Sequence, residues 1–279
     1  MVRLEEREYE RVRPVFEGLR YNLVVDSVID GNTPAWVYAD DAREPRTAWM
    51  WNRMDAMLVA GRADDDAFNR ALGEMIGEKA IPDARRRHIP ELTLHYHPEA
   101  WEGRIDALLP GGRLEKGLRR YYAFGSPKAD WRRGIPPSCE MRRIDEELLA
   151  SAQLQNVRQV VGWVRSFWRS DRDFAQTGFG FCLLQGDAVV SWCLSVFVSG
   201  KDFELGIATA PEHRGRGYAT LMAAACVGHC VEKGLTPHWH CWEDNRPSIA
   251  VAEKVGFENP TRYTVYRLYL VNTLGQARS

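Results

Sequence analysis

The stretch that most restricts what this chain can become runs from Asp202 to Gly234, DFELGIATAPEHRGRGYATLMAAACVGHCVEKG. DFELGIAT is predicted to be a strand, and GRGYATLMAAACVGHCVEKG a helix that stops at Gly234, where glycine supplies the usual C-terminal end. Two glycines and two arginines, Gly215, Gly217, Arg214 and Arg216, stand at the joint between them. The start of a helix carries free backbone N–H groups and the positive end of the helix dipole, which together hold a phosphate. Gly215 and Gly217 give the backbone freedom for close approach. Arg214 and Arg216 add charge, and Ala219 keeps the first turn open. The segment therefore reads as a strand–loop–helix pyrophosphate cradle, against the plainer reading of a Gly-rich turn with solvated arginines. It lacks the GK[ST] of a Walker loop and the GxGxxG of a dinucleotide fingerprint.

Composition narrows the partners. With 279 residues, 45% hydrophobic and 27% charged, the chain is long enough for one large domain or two smaller ones. Its net charge of −1 gives no general attraction to nucleic acid or anionic membrane. The sequence has no apolar run of bilayer length, and its charged start, MVRLEEREYERVRPVFEGLR, does not read as a secretory signal. Six scattered cysteines form no CxxC, which fits core thiols in a reducing cytoplasm. The expected location is cytoplasmic.

The best boundary is FGSPKADWRRGIPPS, Phe124 to Ser138, rich in Gly, Pro and charge. It suggests lobes over 1–135 and 136–279. In the first, YNLVVDSVIDG and TPAWVYAD are expected as strands around a turn at Gly31-Asn32. TAWMWNRMDAMLVAG is expected to be extended, DDDAFNRALGEMIGEK a helix burying Phe68, Leu72, Met75 and Ile76, and IPELTLHYH a strand. LEKGLRRYYAFG fits helix or strand. In the second lobe CEMRRID is a strand and NVRQVVGWVRSFWRS a helix. A hairpin turns near Gly186-Asp187, PHWHCW is a strand, SIAVAEKVG is a helix stopped at Gly256, and RYTVYRLYLV closes with a strand. Both lobes are α/β.

The order of strand, RGRGYA, long helix, strand and NRPSIAVAEKVGF resembles the GNAT acyltransferase superfamily. The phosphate loop of that superfamily, R/Q-x-x-G-x-G/A, matches Arg214, Gly217 and Ala219. Its later motif, beginning with Asn and ending in GF, matches Asn245 through Gly256-Phe257. The resemblance covers about Cys139 to Leu270. LVAGRADDDAFNRAL and ELGIATAPEHRGRGYAT are similar to a bacterial subgroup that has an extra N-terminal lobe and includes zwittermicin-resistance-type acetyltransferases. The resemblance implies a GNAT fold: a mixed central sheet splayed at an acyl-CoA cleft and flanked by helices. The similar order of strands and helices in the first lobe suggests a degenerate copy of that fold which, lacking the loop, is expected to bind no second coenzyme A.

The implied reaction moves an acetyl group from acetyl-CoA, the expected co-substrate, to a primary amine of a small molecule. Alternatives are another acyl-CoA, a protein acceptor, or a non-catalytic acyl-CoA sensor. By resemblance, Ile207 and Thr209 pair with the pantetheine arm. The backbone from Arg214 through Gly215, Arg216, Gly217 and Tyr218 to Ala219 holds the pyrophosphate. Asn245 bonds the arm near the thioester, although asparagine there also reads as a plain helix cap. The backbone N–H near Ile207 and Ala208 is the oxyanion donor. Glu204, on the strand where many relatives carry a basic glutamate, takes the amine proton. The tyrosine that relatives carry four residues before the GF glycine is Ala252 here, so Ser248 is the nearest group to assist the leaving sulfur. His95 with His97, and His238 with His240, place imidazoles on one strand face, but nothing completes a metal set and no metal is expected. His240 and Trp242 are candidate linings of the acceptor site.

Overall fold

The computed structural model describes residues 1–109 and 113–270. The chain divides into two compact units, Met1–Leu118 with Thr264–Ser279, and Arg119–Tyr263. In the first unit the elements are β1 (Val2–Arg3), α1 (Val24–Ile29), β2 (Trp36–Ala39), β3 (Thr47–Trp51), β4 (Ala56–Gly61), α2 (Asp66–Met75), α3 (Ile81–Arg86), β5 (Glu91–His97) and α4 (Ile105–Leu108). β6 (Arg113–Phe124) leads into the second unit. There follow β7 (Cys139–Arg143), α5 (Glu146–Ala150), α6 (Val157–Phe167), α7 (Asp171–Thr177), β8 (Gly180–Gln185), β9 (Ala188–Ser199), β10 (Asp202–Thr209), α8 (Tyr218–Lys233), β11 (Thr236–Trp242), α9 (Arg246–Val255) and β12 (Phe257–Tyr269).

Within the first unit the strand order is β1-β2-β3-β4-β5-β12. The pairs are antiparallel except β4 with β5, which run parallel from Ala56↔Thr93 to Ala60↔His97. That pair is linked by α2, a π-helical turn over Ile76–Ala80, and α3. The side chain of Asp65 caps α2 by accepting from the Phe68 N–H. The expected apolar face is buried: Phe68, Leu72, Met75 and Ile76 join Trp49, Trp51 and Trp101 in the core.

One expectation is corrected in this unit. The segment YNLVVDSVIDG contains the helix Val24–Ile29, not a strand. Its β-branched residues suggest extension, yet Val24 and Val28, and Val25 and Ile29, recur at helical spacing and all are buried. Tertiary ion pairs complete the turn: Arg13 and Arg20 both bind Asp26, which lies on the helix. LEKGLRRYYAFG, open to either reading, is strand β6.

Within the second unit the order is β6-β11-β10-β9-β8-β7. Again the pairs are antiparallel except one, β10 with β11, and a helix, α8, links that pair. The two units thus share a plan of antiparallel strands leading to a helix-linked parallel pair with an antiparallel strand beyond it. Leu221, Met222, Ala225 and Cys226 of α8 are buried, and the Cys226 thiol donates to the Cys193 carbonyl at 3.3 Å. Burial pushes that thiol well above its ordinary pKa, so it behaves as a core residue. The units divide at Leu118, earlier than the boundary expected after residue 135, because Arg119–Tyr122 already pair with β11. The last residues of β12 return to pair with β5. Among the described residues, no helix is long and apolar enough to cross a membrane.

Candidate active site

The parallel pair of the second unit comes apart. Asp202, Phe203 and Glu204 are in register with Thr236, Pro237 and His238. Beyond that point β10 continues to Thr209 and β11 to Trp242 without pairing. The parting coincides with a β-bulge: Glu204 faces Phe197 on β9, but Leu205 faces Ser195, so Val196 is extra. The bulged strand is β9, and its local bend and added twist fall at the point where β10 leaves β11.

The register fixes which backbone groups face the gap. Opposed residues of an antiparallel pair alternate between bonded and unbonded. The Ala210 N–H donates to the Val190 carbonyl at 3.0 Å, so Ala208 also turns its backbone toward β9, opposite Trp192. The Ala208 carbonyl also accepts from Ser191 Oγ at 3.0 Å. Ile207 and Thr209 consequently turn theirs toward the gap, where the Thr209 carbonyl accepts from Arg214 Nε at 3.3 Å. Of the two expected oxyanion donors, Ile207 has an N–H facing the gap and Ala208 does not.

The gap ends on α8. Gly215 and Gly217 have φ of +76° and +81°, and Gly217 is the helix N-cap. The helices α2, α5, α7 and α9 are capped by side chains of Asp65, Asp145, Ser170 and Asn245; α8, like α1, α3, α4 and α6, has no side-chain cap. Its first N–H groups are therefore left for another acceptor. The resulting cleft measures ≈ 600 Å³ and brings together Ile207, Ala208, Thr209, Arg214, Gly215, Gly217, Tyr218, Ala219, Asn245 and Ser248. Arg216 is not part of its lining; its guanidinium donates to the Glu212 carbonyl at 3.2 Å.

α9 forms the opposite wall. Asn245 caps it, accepting from the Ser248 N–H at 3.1 Å, so the capping reading holds. The Ser248 hydroxyl accepts the buried Trp239 indole N–H at 3.1 Å and also hydrogen-bonds the Cys241 thiol. Ala252 is fully buried and does not line the cleft. Gly256 is required where it stands: φ is +116°, and a Cβ there would lie 1.9 Å from the Ser126 carbonyl oxygen. Pro247, Val251 and Lys254 also line the cleft, as do His213 and Thr220, none of which was singled out from sequence. Helical spacing could have found the first three, since Ile249, Ala252 and Val255 mark the buried face of α9.

Glu204, His240 and Trp242 lie outside that lining. Side chains at matched positions of neighbouring strands share a sheet face, and this puts Glu204, His238, His240 and Tyr121 on the face away from Trp239. Tyr121 stacks on His238 with centroids 5.7 Å apart and lies 4.8 Å from His240. His240 Nδ1 is 2.9 Å from the Tyr263 hydroxyl, and His238 Nε2 is 2.8 Å from Asp202 Oδ1. Trp242 lies under the Arg119 guanidinium at 5.2 Å. Burial, followed by the charges of Asp202 and Glu204, pushes the Tyr121 phenol above its ordinary pKa, so it stays protonated at neutral pH. Asp202, Tyr121 and Tyr263 escaped sequence reasoning because only strand pairing brings them together. His95, by contrast, is buried within hydrogen-bond distance of Asn22 in the first unit. Among the described residues no group of three His, Cys, Asp or Glu could hold a metal ion.

A family model described as GNAT acetyltransferase matches residues 13–266, both units rather than the second alone. Among curated proteins, the chain is 29% identical over 266 residues to the uncharacterised N-acetyltransferase YdfB of Bacillus subtilis, covering 94% of this chain and 97% of that one. A GCN5-related N-acetyltransferase-like protein from Streptococcus suis superposes with a TM-score of 0.69 at 21% identity, over 94% of this chain and 98% of the other. A tandem GNAT protein from the clavulanic acid biosynthesis pathway gives 0.56 at 12% identity, over 98% of both chains. These two structural likenesses show the fold.

Proposed function

The chain belongs to the GNAT acetyltransferase family, and from that premise we propose that it transfers the acetyl group of acetyl-CoA to a primary amine of a small molecule. The observation that carries this reading is the parting of β10 and β11 after Glu204 and His238, beside a helix start with no side-chain cap. An extended pantetheine arm fits such a gap as an added strand would, bonded by the exposed edge at Ile207 and Thr209. The N–H groups of Tyr218, Ala219 and Thr220 would hold the pyrophosphate, with Arg214 and Lys254 adding charge along the same cleft. The Asn245 side chain, whose oxygen caps α9, keeps an amide N–H₂ to donate to the arm.

Direct transfer needs a neutral amine, a donor for the oxyanion and a proton or hydrogen bond for the leaving sulfur. Glu204 is the base: it is 8% exposed, on the sheet face that carries His238 and Tyr121. The Ile207 N–H is the oxyanion donor. The Ser248 hydroxyl proton is the group that meets the sulfur, in place of the tyrosine replaced by buried Ala252.

Thiol release from acetyl-CoA, measured over a panel of small amines, tests the reading. Glu204→Gln is expected to lower kcat by about 10²–10⁴-fold while acetyl-CoA still binds with wild-type affinity. Undiminished turnover in that variant would remove Glu204 from the base role.

A further inference from the structure

A buried base that takes a proton in every turnover must return it to water. An ammonium and a thioester give an amide, a thiol and one proton, so one proton leaves the site per cycle. Glu204 is 8% exposed, and a route outward lies beside it. His238 is its register partner across the parallel pair, on the same sheet face. The His238 side chain is 15% exposed, and its Nε2 lies 2.8 Å from the carboxylate of Asp202, whose side chain is 46% exposed. The other ring nitrogen, Nδ1, is buried and has no hydrogen-bond partner among the described residues. Tyr121, stacked on the imidazole with rings 23° apart, fixes its plane. An orphaned buried ring nitrogen is costly in a histidine whose only task is packing.

We propose that the Asp202–His238 pair carries the amine proton from Glu204 to solvent, an inference that rests on Glu204 being the base. The Glu204 carboxylate takes the proton whose loss turns the ammonium into the attacking amine; as the C–N bond forms and the C–S bond breaks, the second N–H proton goes to the leaving thiolate, so the first alone is left to export. The resulting carboxylic acid passes its proton to His238 Nδ1 through one water, since no described residue hydrogen-bonds that nitrogen. Asp202 stabilises the imidazolium, which then loses a proton to bulk water at the exposed end of the pair. No oxidant or additional reactant takes part. The titratable groups around His238 are Asp202 and Glu204 on β10, Tyr121 on β6 and His240 on β11. His238 is thus a positioning and relay residue; the atoms it serves are those of Glu204.

The test compares wild type, His238→Ala, Asp202→Asn and Glu204→Gln at saturating acetyl-CoA and amine, with imidazole added in increasing concentration. His238→Ala is expected to lose about tenfold in kcat, less than the 10²–10⁴-fold loss of a direct base, with both KM values unchanged and with kcat restored by imidazole. Asp202→Asn should fall between this variant and wild type. Glu204→Gln should be slower still and gain nothing from imidazole. His238→Gln, with the wild-type melting temperature, guards against a folding defect and should show the same loss. Wild-type kcat in both His238 variants, or a loss that imidazole does not restore, overturns the relay while leaving the base intact. Wild-type turnover in Glu204→Gln overturns the base and the relay together.

Discussion

Ser248 serves more than one partner. Its hydroxyl oxygen accepts the indole N–H of Trp239, a residue 1% exposed, and its proton is shared between the Cys241 thiol beside it and a leaving sulfur. Ser248→Ala should therefore cost stability as well as turnover. The orphaned buried N–H predicts a loss of about 1–3 kcal/mol, read from urea unfolding, together with a lower kcat. An unchanged unfolding midpoint would contradict the hydrogen bond. Residues contiguous with the loop were readable from sequence: Gly215, Gly217, Tyr218 and Ala219 come to one cleft because helix geometry places them there. Arg216, equally prominent in the sequence, is folded back on Glu212, since a flexible charged side chain takes whichever acceptor is near. Tyr121 and Asp202 could not be read, because they stand 81 residues apart in the chain and meet through register alone.

At the scale of elements, α8 does two jobs at its two ends. Its start is open to a ligand, and its body seals the sheet. His229 belongs to the body, with its ring 4.5 Å from Phe179 and 5.8 Å from Phe181. Burial, then the charges of Arg143 and Lys233, holds its pKa below the ordinary value. In the unfolded chain this histidine gains a proton near its ordinary pKa of about 6.5. Between that pH and the lower folded value the unfolded state holds more protons, so stability falls as pH drops through the window. His229→Phe removes this contribution. Its melting temperature relative to wild type should rise between pH 7 and pH 5; a difference independent of pH would contradict the account. The strongly periodic α2 was readable from sequence, as were α8, by the glycines at its two ends, and the hairpin strands. Val24–Ile29 was misread because local β-branching competes with burial and with the ion pairs on Asp26, both set by distant residues.

For the whole molecule, the two units share a plan, and one has the features of a ligand site. In the first unit β4 and β5 stay paired from Ala56↔Thr93 to Ala60↔His97, the end of β5. The helix that follows β4 begins among Asp64, Asp65 and Asp66, and the Asp65 side chain already occupies the first-turn N–H of Phe68. In the second unit the matching strands part, and the matching helix start has Arg214 and no side-chain cap. The family match over residues 13–266 spans both units, whereas the phosphate-loop motif and the Asn-to-GF motif lie in the second. The parted strands and the Gly217 loop are expected to bind acetyl-CoA. Calorimetric titration of wild type and of Gly217→Glu measures it most directly. The expected result is one acetyl-CoA per chain in wild type and no binding in a variant that stays folded at the assay temperature, with a melting temperature lowered by the strain of a side chain at φ +81°. Absence of binding in wild type, or equal binding in the variant, would contradict the claim.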